Sequence, residues 1–106
     1  MRFRVHPAAR AEVREAASWY EQTRQGLSQE FLREYFVTFE RARLLPQSGA
    51  LVVDLGAPYE VRHFLFSSLP YMLIIATRGE TALLVAVMHQ RREPGYWVKR
   101  LAKTRG

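Results

Sequence analysis

The sequence predicts one α+β domain over residues 1–106, in which a helical hairpin packs on one face of a mostly antiparallel sheet. Three observations predict this class. The chain of 106 residues is long enough for one core and too short for two. Its first apolar pattern has the period of a strand, and the next two have the period of helices. Three further strand patterns follow, so the element order is β-α-α-β-β-β.

The first strand and the first helix come at the start of the chain. Polar and apolar residues alternate from Arg2 to Val5, as in a short strand. Pro7 suits the first helical turn, because the N–H group that proline lacks has no helical partner there. We interpret Trp19 as a packing residue of this helix, which Gln25-Gly26 is expected to end. Helical spacing gives its apolar stripe: Val13, Ala16, Ala17 and Tyr20.

The second helix has the wider apolar stripe. Ser28 is a good N-cap for it, and Pro46 ends it. The short connection between the two helices predicts an antiparallel hairpin whose stripes face a common surface. We interpret the stripe of the second helix as core packing: Phe31, Leu32, Tyr35, Phe36, Phe39 and Ala42.

The second half of the chain predicts the remaining strands. Turn-forming residues fill "PQSGALVVDLGAPYE", with a brief strand expected from Leu51 to Asp54. Tyr59 to Phe66 alternates imperfectly, whereas "YMLIIAT" and "TALLVAVMH" are apolar on both faces, as central strands are. A tight hairpin at Arg78-Gly79-Glu80 joins these two strands. A short helix from Tyr96 to Lys103 is expected after Pro94-Gly95.

Periodicity also predicts which side chains form the core. The prediction takes the inner stripes of both helices and alternate positions of the last two strands. It names Val13, Ala17, Tyr20, Leu32, Tyr35, Phe36, Phe39, Leu73, Ile75, Leu83, Val85 and Val87.

The charge balance indicates an anionic partner. The chain has sixteen Lys and Arg residues and ten Asp and Glu residues, which gives a formal net charge of +6. Most of the cations are arginine. Arginine suits bidentate contacts to carboxylate or phosphate, so nucleic acid or an acidic protein segment would fit. Cysteine is absent, and no apolar run resembles a signal peptide or a membrane span, so we expect a cytoplasmic protein that does not bind membranes.

The segment "VMHQRREPGYW" holds most of the candidate functional residues. The predicted target-binding residues are Arg91, Arg92, Tyr96, Trp97 and Arg100. If the strand persists through Arg91 and Arg92, their side chains point to opposite faces. The alternative for Tyr96 and Trp97 is a hydrophobic latch that closes the sheet edge. We interpret His89 as a residue that packs or forms hydrogen bonds in a turn, in preference to a general base. The basic tail from Lys99 to Arg105 is interpreted either as a solvated terminus or as an anion-binding patch.

Four segments in this order resemble the ParE/RelE toxin family of bacterial toxin–antitoxin modules, and the resemblance covers nearly the whole chain. They are "VHPAARAEVREAASWYE", "GLSQEFL", "VRHFLFSSLPYMLII" and "HQRREPGYWVKR". The segment "ASWYE", Pro70-Tyr71 and the closing His-x-x-Arg-x-Pro-x-Tyr-Trp pattern most resemble the ParE-like, plasmid-stabilisation branch. The resemblance implies a RelE/ParE-like fold and a small basic toxin that a cognate antitoxin, ParD-like or other, neutralises.

The resemblance implies one of two targets. ParE-like proteins poison DNA gyrase without a known enzymatic step, whereas RelE-like proteins are metal-free endoribonucleases that cut messenger RNA on the ribosome. Under the nuclease hypothesis, the expected catalytic residues are Arg62, His89, Arg92 and Tyr96. Met72 and Glu60 stand where RelE-like sequences carry positive charge, so we expect the gyrase inhibitor first and the nuclease second.

Two further expectations complete the hypothesis. No cofactor is expected, and no metal, because His6, His63 and His89 share no ligand spacing. The antitoxin is expected to cover the exposed side of the helical hairpin and the sheet. A third alternative is a protein that has lost toxicity and only binds the antitoxin.

Overall fold

The computed structural model of this chain describes residues 1–52 and 58–102. Two long helices cover one face of a five-stranded sheet, and a short helix covers part of the other, which confirms the predicted α+β fold. Asp54 of the predicted brief strand and the end of the basic tail, Lys103 and Arg105, lie outside the described residues. The elements are β1 (Arg2–Val5), α1 (Pro7–Thr23), α2 (Leu27–Leu44), a 3₁₀ turn (Pro46–Ser48), β2 (Ala50–Leu51), β3 (Glu60–Leu65), β4 (Tyr71–Arg78), β5 (Thr81–His89) and α3 (Val98–Ala102).

The sheet brings the first and last strands of the chain together. Its order is β1-β5-β4-β3-β2. The pairs among β2, β3, β4 and β5 are antiparallel. β1 runs parallel to β5, from Arg2 opposite Thr81 to Val5 opposite Leu84. Because β1 leads directly into α1, this pairing places the start of the helical hairpin beside the second half of β5.

The loop of the helical hairpin differs from the sequence prediction in its cap. Ser28 was expected to be the N-cap of α2, but the N-cap is Gly26, whose positive φ of 91° suits a residue without a Cβ. Glu21 supplies the missing acceptor, because its carboxylate accepts hydrogen bonds from the main-chain N–H groups of Gly26 and Ser28. The hydroxyl of Ser28 also donates to Glu21. These hydrogen bonds, that from the Ser28 hydroxyl first, lower the pKa of Glu21.

The core between the hairpin and the sheet confirms most of the predicted stripe and corrects two residues. Phe31 is fully buried, and Thr38 and Ala42 follow it on the inner face of α2. Phe36 is 63% exposed and Trp19 is 59% exposed, so both were wrongly assigned to packing. Phe36 follows Tyr35, and one residue turns a helix by about 100°, which carries its ring to the outer face.

A β-bulge in β5 determines which face its residues occupy. Ile74 pairs with Ala86 but Ile75 pairs with Leu84, which leaves Val85 as the extra residue. Leu84 and Val87 therefore belong to the core under the hairpin, while Val85 belongs to a second core on the other face. The predicted core residues of β4 and β5 are all buried, but strict alternation would have placed Val85 and Val87 on the same face.

The second core explains why β4 and β5 are apolar on both faces. It contains Trp97 and Leu101, which are 3% and 6% exposed. These side chains pack with Ile74, Ala86 and Met88 of the sheet. The predicted C-terminal helix is therefore present as α3, and it covers one end of the sheet face opposite the hairpin.

Candidate functional site

The outer edge of β5 is where side chains of α1 and α3 meet. β1 covers this edge only as far as Val5, because Pro7 begins α1. The N–H group of His6 makes the last main-chain hydrogen bond along this side of β5, to the carbonyl oxygen of Leu84 at 3.0 Å. Within residues 1–52 and 58–102, no strand pairs with this side of β5 beyond that point. The main-chain groups at the bulge need other partners, since unpaired backbone groups are costly.

Two charged side chains supply those partners. The guanidinium of Arg100 donates to the carbonyl oxygen of Val85 at 2.9 Å. The N–H group of Val87 donates to the carboxylate of Glu12 at 2.9 Å. Arg100 comes from α3 and Glu12 from α1, so the edge of β5 joins the two helices that lie on opposite faces of the sheet.

Glu12 is the centre of a cluster that we call the clasp: Glu12, Arg92, Tyr96 and Arg100. Its carboxylate accepts from both terminal nitrogens of Arg100, at 2.9 and 3.1 Å. The hydroxyl of Tyr96 donates to it at 2.6 Å, and Arg92 Nη1 lies 3.4 Å away. Only 10% of the Glu12 side chain and 15% of the Arg100 side chain is exposed. An ion pair so deeply buried needs further hydrogen bonds to offset the cost of removing its charges from water.

The surroundings of the clasp raise the pKa values of two of its members, Tyr96 and Arg100. Burial, followed by the hydrogen bond to Glu12, raises the pKa of the Tyr96 hydroxyl. The hydrogen bond to the same carboxylate raises the pKa of Arg100. Tyr96 is therefore a neutral hydrogen-bond donor, and an ionised phenolate general base is not available from it at neutral pH.

A groove of about 320 Å³ lies beside the clasp, at the end of the sheet. Trp19 is the large exposed side chain in it, and Arg92 lies on its wall. Arg92 stacks on Tyr96, with Cζ 3.5 Å from the ring centroid, yet 51% of its side chain remains exposed. We call this the sheet-end groove; its lining residues are Glu12, Glu15, Ala16, Trp19, Tyr71, Val87, His89 and Arg92.

His89 is the last residue of β5, and its side chain contacts the turn that follows. Its Nδ1 atom accepts a hydrogen bond from the N–H group of Arg91 at 3.0 Å, and its ring meets the ring of Tyr71 edge-on. β5 ends at His89, so the expected opposite orientation of Arg91 and Arg92 along a continuing strand does not apply. Arg91 is exposed, while Arg92 joins the clasp.

The side chain of Arg62 is held by hydrogen bonds to neighbouring segments of the chain. Its guanidinium donates to the carbonyl oxygens of Gln47 and Gly49 and to the side-chain oxygen of Gln47. It also forms an ion pair with Glu60, with 17% of its side chain exposed. These contacts fasten the segment before β2 to β3.

Arg62 also lies far from the other residues of the hypothetical nuclease set. It pairs with Ile75 of β4, whereas His89 pairs with Tyr71. Four residues of strand separate these rows, which is about 13 Å. The structure therefore brings Arg92 and Tyr96 together beside His89 and leaves Arg62 apart.

The predicted target-binding residues divide into two groups. Trp97 is buried, and Tyr96 and Arg100 are partly buried. The burial of the Trp97 ring against the sheet favours the latch interpretation for that residue. Arg91 is exposed and Arg92 half exposed, so these two can meet a partner.

Sequence reasoning missed Glu12 and the exposure of Trp19. A spacing of three and four residues places four side chains on one face of α1, and this could have been read from the sequence: Glu12, Glu15, Ala16 and Trp19. The pairing of Glu12 with Arg100, which is 88 residues later, has no local signal.

Neither a metal-binding cluster nor a membrane-spanning helix occurs among the described residues. No group of three or more histidine or acidic side chains is arranged to hold a metal ion there. No helix among the described residues has the length and apolar character needed to cross a membrane.

The hairpin, the mixed sheet and the connecting order together make a ParE/RelE-like α+β fold. A comparison with solved structures finds a chain described as belonging to the chromosomal ParDE toxin–antitoxin system from P. aeruginosa, with a TM-score of 0.69. The alignment covers 84% of this chain and 95% of that chain at 11% sequence identity. No protein family and no curated protein matches the sequence. The structural similarity confirms the expected fold.

Proposed function

We propose that this protein is the toxin of a type II toxin–antitoxin module, that it inhibits DNA gyrase in the manner of ParE, and that a cognate antitoxin neutralises it. The observation that carries the proposal is the fold shared with a chain of a ParDE system over 84% of the sequence. The sheet-end groove adds a candidate contact site, because it presents Arg92 and Trp19 on a rigid support.

The groove has the composition of a protein-binding site. Tryptophan and arginine dominate the residues that contribute most to binding free energy in protein interfaces. The clasp holds one side of the Arg92 guanidinium against Tyr96 and leaves the other side exposed. Less conformational entropy is then lost when a partner contacts it. We place the target contact at Arg91, Arg92 and Trp19.

The nuclease alternative has weaker support. Arg62 is hydrogen-bonded elsewhere and about 13 Å along the sheet from His89. Met72, which replaces an expected cation, packs in the second core, on the sheet face opposite the hairpin. A metal-free nuclease needs a general base, a general acid and cations around one phosphate. A binding mode of inhibition needs only the exposed surface.

The antitoxin has a second surface available on the outer side of the hairpin. Phe36 and Val37 are 63% and 57% exposed on α2, and the protein carries a net charge of +6. An acidic, disordered segment gains enough free energy to fold on binding only if it covers apolar and basic surface together. Co-expression with the adjacent genes, followed by affinity purification, should retain a small acidic protein.

Two assays on the purified protein test the target. The first measures supercoiling and the accumulation of cleaved DNA by gyrase, and the second maps cuts in messenger RNA on translating ribosomes. We expect inhibition of gyrase and an uncut message. Codon-dependent cuts with unaffected gyrase would favour the nuclease, and no effect in either assay, with the antitoxin still bound, would favour a non-toxic antitoxin-binding protein.

A further inference from the structure

A second groove lies on the sheet face opposite the helical hairpin, at the end away from α3. It has a volume of about 290 Å³ and is lined by residues of β1, β4 and β5 and by Tyr59. Ala76 and Leu83 form its apolar floor, and Arg4 and Arg78 lie at its rim. We call it the arginine-rimmed groove. It is distinct from the sheet-end groove and takes no part in the site described above.

The strand register concentrates arginine on this face. Arg4 of β1 pairs with Leu83 of β5, and Leu83 pairs with Ala76 of β4. In the neighbouring row, Thr81 pairs with both Arg2 and Arg78.

Side chains alternate across the faces of a strand, so these two rows share one face. Phe3 and Val5, the other residues of β1, pack into the core under the hairpin. The opposite face of β1 is therefore left to Arg2 and Arg4, which share with Arg78 the sheet face that carries the groove.

The positive charge of this face is not neutralised within the described part of the chain. Arg2, Arg4 and Arg78 are all exposed, and none of them forms an ion pair with another described residue. Arg78 lies over the ring of Tyr59, 5.8 Å from its centroid. No carboxylate belongs to the described lining of the groove. Like charges around one cleft attract anionic partners and raise their local concentration.

We propose that the arginine-rimmed groove docks an acidic, apolar peptide segment of a partner protein. An aliphatic side chain would enter the groove over Ala76 and Leu83, and carboxylates of neighbouring residues would meet Arg4 and Arg78. The proposal rests on the proposed function only for the source of the segment, which would be the antitoxin.

The apolar floor favours a peptide over nucleic acid. Sites for single-stranded nucleic acid use aromatic faces on which bases stack, whereas the one ring among the described lining residues, Tyr59, has Arg78 over it. The volume of about 290 Å³ lies at the lower end of the range for small-molecule sites, about 300–1,000 Å³. Side chains of an extended segment fit this size, and guanidinium groups form strong paired hydrogen bonds with carboxylates.

Fluorescence anisotropy with labelled synthetic peptides tests the docking site on the whole protein. The probe alternates leucine and glutamate. One comparison peptide replaces leucine by serine, and a second replaces glutamate by lysine. The variant is the double substitution Arg4→Ala with Arg78→Ala. Its charge-matched control, Arg24→Ala with Arg43→Ala, changes two exposed arginines, one in the loop of the helical hairpin and one at the end of α2, that lie in neither groove.

We expect the leucine–glutamate peptide to bind and to lose roughly tenfold or more in affinity in the groove variant, as truncation of interface arginines does. The control variant should bind it within a factor of about three, and both comparison peptides should bind at least tenfold more weakly to the original protein, since each lacks one of the two required features. Equal losses in the two variants, or equal binding of the serine–glutamate peptide, would overturn the proposal. Arginine-dependent binding of single-stranded DNA in place of the peptide would overturn it in favour of a nucleic-acid site.

The peptide measurement and the proposed function fail separately. A protein that binds the peptide through Arg4 and Arg78 but inhibits neither growth nor gyrase keeps the docking site and loses the toxin assignment. A toxic protein that binds no peptide at this groove loses the docking site alone.

Discussion

At the scale of single residues, Glu12 connects more of the molecule than any other side chain of the clasp. Its carboxylate accepts from the main chain of β5, from Tyr96 and from Arg100. Hydrogen bonds to a charged carboxylate are stronger than those between neutral groups, so they fix the geometry of the groups around Glu12. Arg92 is held between Glu12 and Tyr96, so its position in the sheet-end groove depends on this one side chain.

Replacing Glu12 by glutamine should therefore destabilise the fold. Arg100 would keep its charge in a nearly buried position without a carboxylate, and breaking such a pair costs about 3 kcal/mol. Chemical denaturation measures the change in the free energy of unfolding. Glu15→Gln is the matched control, because Glu15 lines the same groove but is exposed, and it should change the stability by less than about 0.5 kcal/mol. Equal effects of the two substitutions would show that the clasp contributes little.

His6 gives the stability a pH dependence. Its Nδ1 atom accepts from the N–H group of Ala8 at the start of α1, which a protonated Nδ1 cannot do. Burial, and after it the guanidinium of Arg100, lowers the pKa of His6 from its ordinary value of 6.5. The unfolded chain therefore binds a proton more readily than the folded one, and the free energy of unfolding falls as the pH drops from about 6.5 toward the lower folded pKa.

Denaturation curves at pH 7.5 and pH 5.5 measure this effect. We expect the protein to be less stable at pH 5.5, and His6→Asn to lose less stability than the original protein over the same interval. Asparagine is a strong N-cap that does not titrate, so it retains the acceptor. An identical loss in the two proteins would assign the pH dependence to other groups.

At the scale of elements, one tryptophan lies in α1 and the other directly before α3, and their environments are opposite. Trp97 is 3% exposed in the second core, and Trp19 is 59% exposed in the sheet-end groove. The first ring fastens α3 to the sheet, and the second is free to contact a partner. The two residues form a natural pair for separating stability from binding.

Trp97→Ala should lower the free energy of unfolding by about 3–5 kcal/mol, the usual cost of removing a buried aromatic ring. Trp19→Ala should change it by less than about 0.5 kcal/mol, while weakening the inhibition of gyrase. Thermal unfolding and supercoiling assays on both variants provide the two measurements. If the Trp19→Ala variant is folded and inhibits gyrase as strongly as the original protein, Trp19 does not belong to the contact site.

Periodicity predicted the elements well because each has a strong local signal. The apolar residues of the two helices recur at the helical period, and those of the last two strands form short continuous apolar runs. The errors come from features that spacing does not encode. Phe36 lies one residue off the inner stripe, and Val85 is an extra residue in β5 that shifts the faces on which its neighbours lie.

The candidate site was predicted only in part for the same reason. Arg91, Arg92 and Tyr96 were predicted together because they are close in sequence. Glu12 and Trp19 reach them through the parallel pairing of β1 with β5 and the packing of α1, which are contacts between the two ends of the chain.

At the scale of the whole molecule, the two faces of the sheet carry different surfaces. The hairpin side ends in the sheet-end groove with Arg92 and Trp19, and the opposite side carries the arginine-rimmed groove. A toxin needs one surface for its target and one for the antitoxin that restrains it. Under the proposed function, the sheet-end groove would contact the target and the arginine-rimmed groove would contact a segment of the antitoxin.

The growth rate of a bacterial culture after induction of the protein tests the central claim most directly. Loss of an interface arginine costs roughly 2 kcal/mol, which is about a thirtyfold loss of target affinity. We predict that the original protein arrests growth, that Arg92→Ala does not, and that Arg43→Ala does, because Arg43 is equally exposed, 49% against 51%, and lies at the far end of α2. Circular dichroism must show that all three are folded. A folded Arg92→Ala variant that arrests growth as strongly as the original protein, or an original protein that leaves growth unchanged, would contradict the account.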